Sequence, residues 1–282
     1  VIGAVNNFTQ SVELLDEWYK KYHKKENLIN FELGFHAEYT TKKEILEGIA
    51  DLAEKYKAPV YTHNSESESE VAQCIERTKV TPTVYMDRLG IFNYGGGFYH
   101  CVHMTQNDLD IVKEHNISVI TNPSSNLKLA SGIAPIDHML KEGINLAIGT
   151  DGPASNNCLD MFREMFLVTA LAKYRENDAS AVDALEVLKM ATIGGAKAMN
   201  LTDCDVLAEG KEADIIMIDL NQPNMQPIHN IQKNLVYSGS KQNVKLTMVA
   251  GKILYENGEF FIGTDAYKIY EKANDIAERI VK

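Results

Sequence analysis

From residue 12 to about residue 210 the chain alternates stretches of helical period with short apolar runs, and no other feature narrows its fold so much. Val12, Leu15, Trp18, Tyr19 and Tyr22 recur at helical spacing, which predicts a helix from Val12 to Lys25. Thr41 to Lys57 reads the same way: Thr41 with Glu44 three residues on forms the pattern of a capping box, followed by Ile45, Ile49 and Leu52. Ala58-Pro59 ends that helix and Val60 to His63 follows as a short strand. Strands are then predicted at Phe98–Val102, Ser118–Thr121 and Asn145–Gly149, with helices between them at Thr105–His115 and Ala134–Gly143. Two further helices follow, at about Leu159–Tyr174 and Ala181–Met190. Such βα alternation implies an α/β fold whose parallel sheet is covered by helices.

From about Gly210 the period changes. Ala213–Asp219, Lys245–Val249 and Ile253–Tyr255 read as strands of a small β unit, with Glu256-Asn257-Gly258-Glu259 as a hairpin turn. Thr264 to Lys282 closes the chain as an amphipathic helix. Three segments are therefore expected: 1–208, 209–263 and 264–282.

Composition excludes several functions. A formal net charge of -11 disfavours a nucleic-acid backbone as partner, since phosphate binding draws on clustered Lys and Arg. No apolar run reaches the roughly 18 residues of a spanning helix, so no membrane partner is expected. The start, Val1 to Val5, is too short for a signal peptide and lacks its basic flank. It also lacks an initiating Met, so the chain is expected to begin inside a longer product. Cys74, Cys101, Cys158 and Cys204 lie far apart with no CxxC pair, which fits reduced thiols and a cytoplasmic location.

Several predicted strands run into polar residues at their carboxyl ends, where parallel-sheet enzymes place their chemistry. Taken together these are His36, His63, Glu66, His100 and Asp151. A hydrolase that activates water on a divalent metal needs neutral imidazole and carboxylate ligands, plus an unligated carboxylate to move protons. His63 with Asp151 could hold the metal, Glu66 could shuttle the proton, and His100 could hydrogen-bond the attacking water or the developing oxyanion. Each residue alone has a bland reading, as a structural His or a turn Asp. Their joint order after apolar runs favours the functional one. Elsewhere the bland reading stands. Gly95-Gly96-Gly97 reads as a flexible loop, the Ser65–Glu70 run, Glu66 apart, as a solvated helix start, and His103 as structural.

The chain resembles the amidohydrolase superfamily, in its branch of purine, S-adenosylhomocysteine, methylthioadenosine and guanine deaminases related to chlorohydrolases. The resemblance rests on His36-Ala37-Glu38-Tyr39, His63-Asn64-Ser65-Glu66, His100-Cys101-Val102-His103, Asn122 to Leu129 and Gly149 to Asn157. It continues through Glu209 to Asp214 and Met248 to Lys252. What it implies is an incomplete (β/α)8 TIM barrel with the C-terminal part of a small β-sandwich, binding Zn2+ or another divalent metal such as Fe2+ or Mn2+. It further implies hydrolytic deamination of an amino-purine, purine nucleoside or similar small heterocycle, with ammonia released, and assembly as a homodimer. By the same resemblance His63 and Asp151 match metal ligands, Glu66 the proton carrier that also meets substrate, His100 and Asp151 its catalytic partners, and His36 a substrate contact.

Two departures shape the expectation. The family's His-x-His metal pair is absent from all 282 residues, so the chain is expected to be the C-terminal two-thirds of such an enzyme, without its first barrel strands. The segment Asn6 to Ser11 carries no arginine, which removes the expected support for a carboxylate-bearing substrate. The alternatives are a catalytically incompetent fragment of such an enzyme and a triazine-type chlorohydrolase. The carboxylate of Glu66 favours expelling an amine, which must be protonated to leave, over chloride, which need not be.

Overall fold

A computed structural model describes residues 8–25 and 28–281. Val1 to Val5, and Asn6 and Asn7 of the arginine-free stretch, lie outside the described residues. The chain divides into two compact units, Val1–Asn200 and Leu201–Lys282. Among the described residues no helix is long and apolar enough to cross a membrane.

Among the described residues the first unit carries five strands: β1 (Leu33–Gly34), β2 (Val60–Asn64), β3 (Gly96–His100), β4 (Ile117–Thr121) and β5 (Leu146–Ile148). They pair in sequence order and all in parallel. Parallel neighbours linked through helices, with no strand skipped, are wound as in a (β/α) barrel. Alternation along β2 decides its two faces: Val60, Thr62 and Asn64 are buried, while Tyr61 and His63 on the opposite face are half-buried. The helix Lys43–Tyr56 buries Ile45, Leu46, Ile49, Leu52 and Ala53, the stripe its spacing predicts.

Three local readings are corrected. The Thr41 capping box does not form: Lys42 is the N-cap, and the buried Thr41 hydroxyl has no hydrogen-bond partner among the described residues. The helix starts one residue later than the box requires, which moves Glu44 out of the position that reaches back. Gly96 and Gly97 are not a flexible loop but the first residues of β3. A Cβ on Gly96 would lie 1.9 Å from the Val60 carbonyl oxygen, and its φ of +141° suits only glycine, so the run lets β3 close against β2. The helix predicted over Ala181–Met190 spans Ala184–Lys189 and passes into a π turn at Met190–Gly194. There a Cβ on Gly194 would meet the Leu146 carbonyl oxygen at 2.1 Å, so glycine lets that turn press on β5.

Helix Phe8–Tyr22 is tied to helix Lys43–Tyr56 by Asp16, whose carboxylate accepts from Lys20 at 2.5 Å, Lys55 at 2.6 Å and the Tyr56 hydroxyl at 2.5 Å. Lys20 first, then Lys55 and Tyr56, hold the Asp16 carboxyl far below the usual carboxylate range. A depressed folded pKa stabilises above the unfolded value, and that stability is lost as pH falls from about 4 toward the folded value. Partial exposure limits the effect to roughly 0.5–1 kcal/mol. Trp18, the single tryptophan, lies on the same helix with its ring edge-on to Phe31 at 6.2 Å. Its fluorescence in an acid titration is expected to report loosening below pH 4 that Asp16→Asn already shows at neutral pH. An identical titration for the two chains would exclude this clamp.

The second unit is an antiparallel sheet in the order β6 (Ile215–Ile218), β7 (Val244–Val249), β8 (Lys252–Glu256) and β9 (Glu259–Phe260). Asn257 and Gly258, both with positive φ, form the β8–β9 hairpin turn at the predicted place. Helix Ala266–Val281 follows, within the span its periodicity predicts.

Candidate active site

Parallel register brings the carboxyl ends of the strands together. His36 lies two residues past β1, His63 lies in β2, His100 ends β3 and Asp151 follows β5. The pairing sets His63 beside Tyr99 and Asn64 beside His100. As a result the His36 and His63 ring centres are 4.7 Å apart, and those of His63 and His100 are 5.3 Å apart and stacked. Glu66 reaches back over this group, its Oε2 at 3.7 Å from His100 Nε2.

Each side chain is aimed by a neighbour. The His63 Nδ1–H donates to the His36 carbonyl oxygen at 2.7 Å, which leaves the Nε2 lone pair bare. Burial lowers the pKa of His63 despite that bond, and so favours the neutral ring a metal ligand needs. The His100 Nδ1–H donates to Asn126 Oδ1 at 2.7 Å, so its Nε2 faces Glu66. His36 meets the Thr40 hydroxyl at 3.1 Å, and burial, with His63 adjoining, depresses its pKa. Burial alone would raise the Asp151 pKa. Hydrogen bonds from the Ser125 hydroxyl at 2.6 Å, from Ser155 and from the Gly152 N–H, with the His100 ring nearby, reverse this and keep it an anion.

The backbone is strained at the same places. Ser65, His100, Cys101 and Asp151 all adopt positive φ, unusual for residues with a Cβ. Cross-loop bonds enforce it: the Cys101 N–H donates to the Asn64 carbonyl at 3.1 Å, and the Val102 and His103 N–H groups both donate to the Ser65 carbonyl, at 3.1 and 3.0 Å.

All five residues singled out in the sequence therefore lie at one edge of the parallel sheet, four of them within direct reach of another. Three positions had not been singled out. Asn126 and Ser125 belong to the Asn122–Leu129 run, where the signal was a polar stretch straight after a strand. Ser131, whose hydroxyl donates to Glu66 Oε1 at 3.1 Å, had no sequence signal; His103 Nε2–H holds it through the Ser131 carbonyl at 2.7 Å. One reading is overturned: Glu70 is not solvated but buried, accepting the backbone N–H groups of Ser65 and Glu66.

Whether a divalent ion fits can be judged from the donor set. His63 offers a bare imidazole nitrogen and Asp151 a carboxylate, both suitable ligands. Among the described residues no three His, Cys, Asp or Glu side chains converge closely enough to hold an ion. The two residues thus fit as part of a site that needs at least one more ligand.

The chain is similar to known proteins over nearly its whole length. A family model described as the amidohydrolase family matches residues 4–254. The 5-methylthioadenosine/S-adenosylhomocysteine deaminase of Thermoanaerobacter pseudethanolicus is 39% identical over 267 residues, 93% of this chain and 62% of that protein. The 5'-deoxyadenosine deaminase of Methanopyrus kandleri is 36% identical over 262 residues, 93% of this chain and 61% of that one. An adenosine deaminase from Xanthomonas campestris, solved with bound zinc, superposes with a TM-score of 0.88 at 35% identity, covering 97% of this chain and 61% of that chain. The chain thus spans about three-fifths of the length of these relatives.

Proposed function

Because the chain belongs to the amidohydrolase family, with an arc of its barrel and a second, antiparallel sheet, we propose that it carries the proton-transfer half of a hydrolytic deaminase acting on adenosine-type nucleosides. The observation that supports this most is the convergence of Glu66, His100 and Ser131 beside the bare nitrogen of His63.

His63 and Asp151 would hold a divalent ion, zinc by analogy with the bound zinc of the similar adenosine deaminase, together with ligands beyond this pair. When bound, such an ion supplies Lewis acidity that makes water nucleophilic at neutral pH. The chain's own groups do the rest. Water adds to the ring carbon that bears the amino group, and the first proton it gives up passes to Glu66. His100, its Nδ1 engaged by Asn126, turns Nε2 toward Glu66 and there holds and orients the attacking water. Glu66 gives that proton to the ring nitrogen next to the reacting carbon. Asp151 takes the remaining proton of the added hydroxyl and passes it to the amino group, so that the C–N bond breaks, ammonia leaves and the carbonyl forms. The Ser131 hydroxyl fixes the Glu66 carboxylate between these positions. Half-buried His36 faces the same space and is the contact we assign to substrate.

Ammonia release tests the reading directly. Within a protein that also supplies the further metal ligands, the chain loaded with Zn2+ is expected to deaminate 5'-deoxyadenosine and 5-methylthioadenosine, to lose this on chelation and to regain it with added Zn2+. Release of ammonia from none of the adenosine-type nucleosides after loading would overturn it.

A further inference from the structure

Glu70 lies on the first turn of helix Glu68–Thr78, yet it is only 6% exposed. Its two oxygens are used separately. Oε1 accepts the Ser65 N–H at 2.9 Å and Oε2 accepts the Glu66 N–H at 2.8 Å, so one carboxylate grips two consecutive backbone donors. Ser65 sits there with a φ of +51°, a conformation a serine does not keep without support. The Ser65 carbonyl in turn accepts from Val102 and His103, the residues just past His100. A single buried side chain therefore braces the turn that presents Glu66 and, through Ser65, the loop that follows His100.

We propose that Glu70 is a positioning residue that aims the Glu66 carboxylate at His100 and Ser131 by holding the Ser65–Glu66 backbone. The proposal rests on the reading of Glu66 as proton carrier. Glu70 itself faces backbone amides and has no part in proton transfer. A shift of about 1 Å in a reacting group can reduce a rate about 100-fold while binding is kept, because the loss falls on geometry.

The test compares Glu70→Gln with Glu68→Gln, a neutralisation of the exposed residue on the same turn. In Glu70→Gln one acceptor becomes an NH2 that opposes a backbone donor. It is expected to lower kcat for 5'-deoxyadenosine about 30- to 100-fold with KM held within about threefold. Hydrogen exchange at the Ser65 and Glu66 amides is expected to quicken about tenfold or more while the Val119 amide in β4 keeps its protection. Glu68→Gln is expected to change none of these. A Glu70→Gln kcat within threefold of the parent, unchanged exchange at Ser65 and Glu66, or exchange quickened equally at Val119 would each overturn the proposal, the last by making the role merely structural. Should Glu70→Gln not fold, Glu70→Asp keeps both acceptors but withdraws them by one methylene, and carries the same readouts. If the parent chain releases no ammonia, the deaminase reading falls, and the exchange pattern alone decides whether Glu70 braces this turn.

Discussion

Glu66→Gln is expected to lower ammonia release about 10²- to 10⁴-fold, the range a positioned general acid–base contributes, with KM changed only a few-fold. The substitution isolates proton transfer from shape. A glutamine side chain has the same length and can still accept the Ser131 hydroxyl at the place where Glu66 Oε1 now lies at 3.1 Å. It cannot take a proton from water and return it to the ring. The amine leaving group makes this loss severe, since it must be protonated to depart. Steady-state rates of ammonia release for parent and variant, measured at equal metal loading, decide the matter. Retention of full turnover by Glu66→Gln would remove this residue from the mechanism and leave His100 and Asp151 to account for the proton.

The second large effect is on stability. Glu164, fully buried on helix Met161–Glu176, accepts the Ser124 N–H at 3.0 Å and Asn156 Nδ2–H at 2.8 Å. It thereby ties the segment after β4 to the segment after β5, next to Ser125 and Asp151, which meet each other at 2.6 Å. Glu164→Ala removes both acceptors at once. Each buried donor left without a partner costs about 1–3 kcal/mol, although Asn156 keeps its bond to the Thr150 carbonyl. A fall in Tm of roughly 5–10 °C is expected, and Glu164→Gln, which retains one acceptor, should lose less. Thermal unfolding by circular dichroism reads both, and a Glu164→Ala Tm within a degree of the parent would contradict the brace.

The legible part of the candidate site was its chemistry. His63, His100 and Asp151 could be picked out because a polar, metal-capable residue straight after an apolar strand has no packing reason to be there, and parallel winding puts strand ends on one rim. The supports were harder to see. Ser131 reaches Glu66 across 65 positions of sequence, so no local pattern marks it. Glu70 sits in a run of alternating Ser and Glu that resembles any solvated helix start. Only the path of the turn decides that one glutamate of the run points inward to two amides. Thr41 misled for a related reason: its box was sound as local chemistry, but the helix begins at Lys43.

Two kinds of information therefore separate in this protein. Local pattern alone determined the alternation of strands and helices, though not the helices Pro82–Arg88 and Ile231–Tyr237, together with the change to a β unit after Gly210, the hairpin at Asn257-Gly258 and the residue types gathered at the strand ends. These depend on periodicity and turn chemistry, which act over a few residues and are written in neighbouring side chains. Only the tertiary structure decided which nitrogen of each histidine faces the site, which carboxylate is buried as a brace, and where glycine is required by a neighbouring strand. Each of those is settled by a partner distant in sequence, because a hydrogen bond or a close backbone approach depends on distance in space.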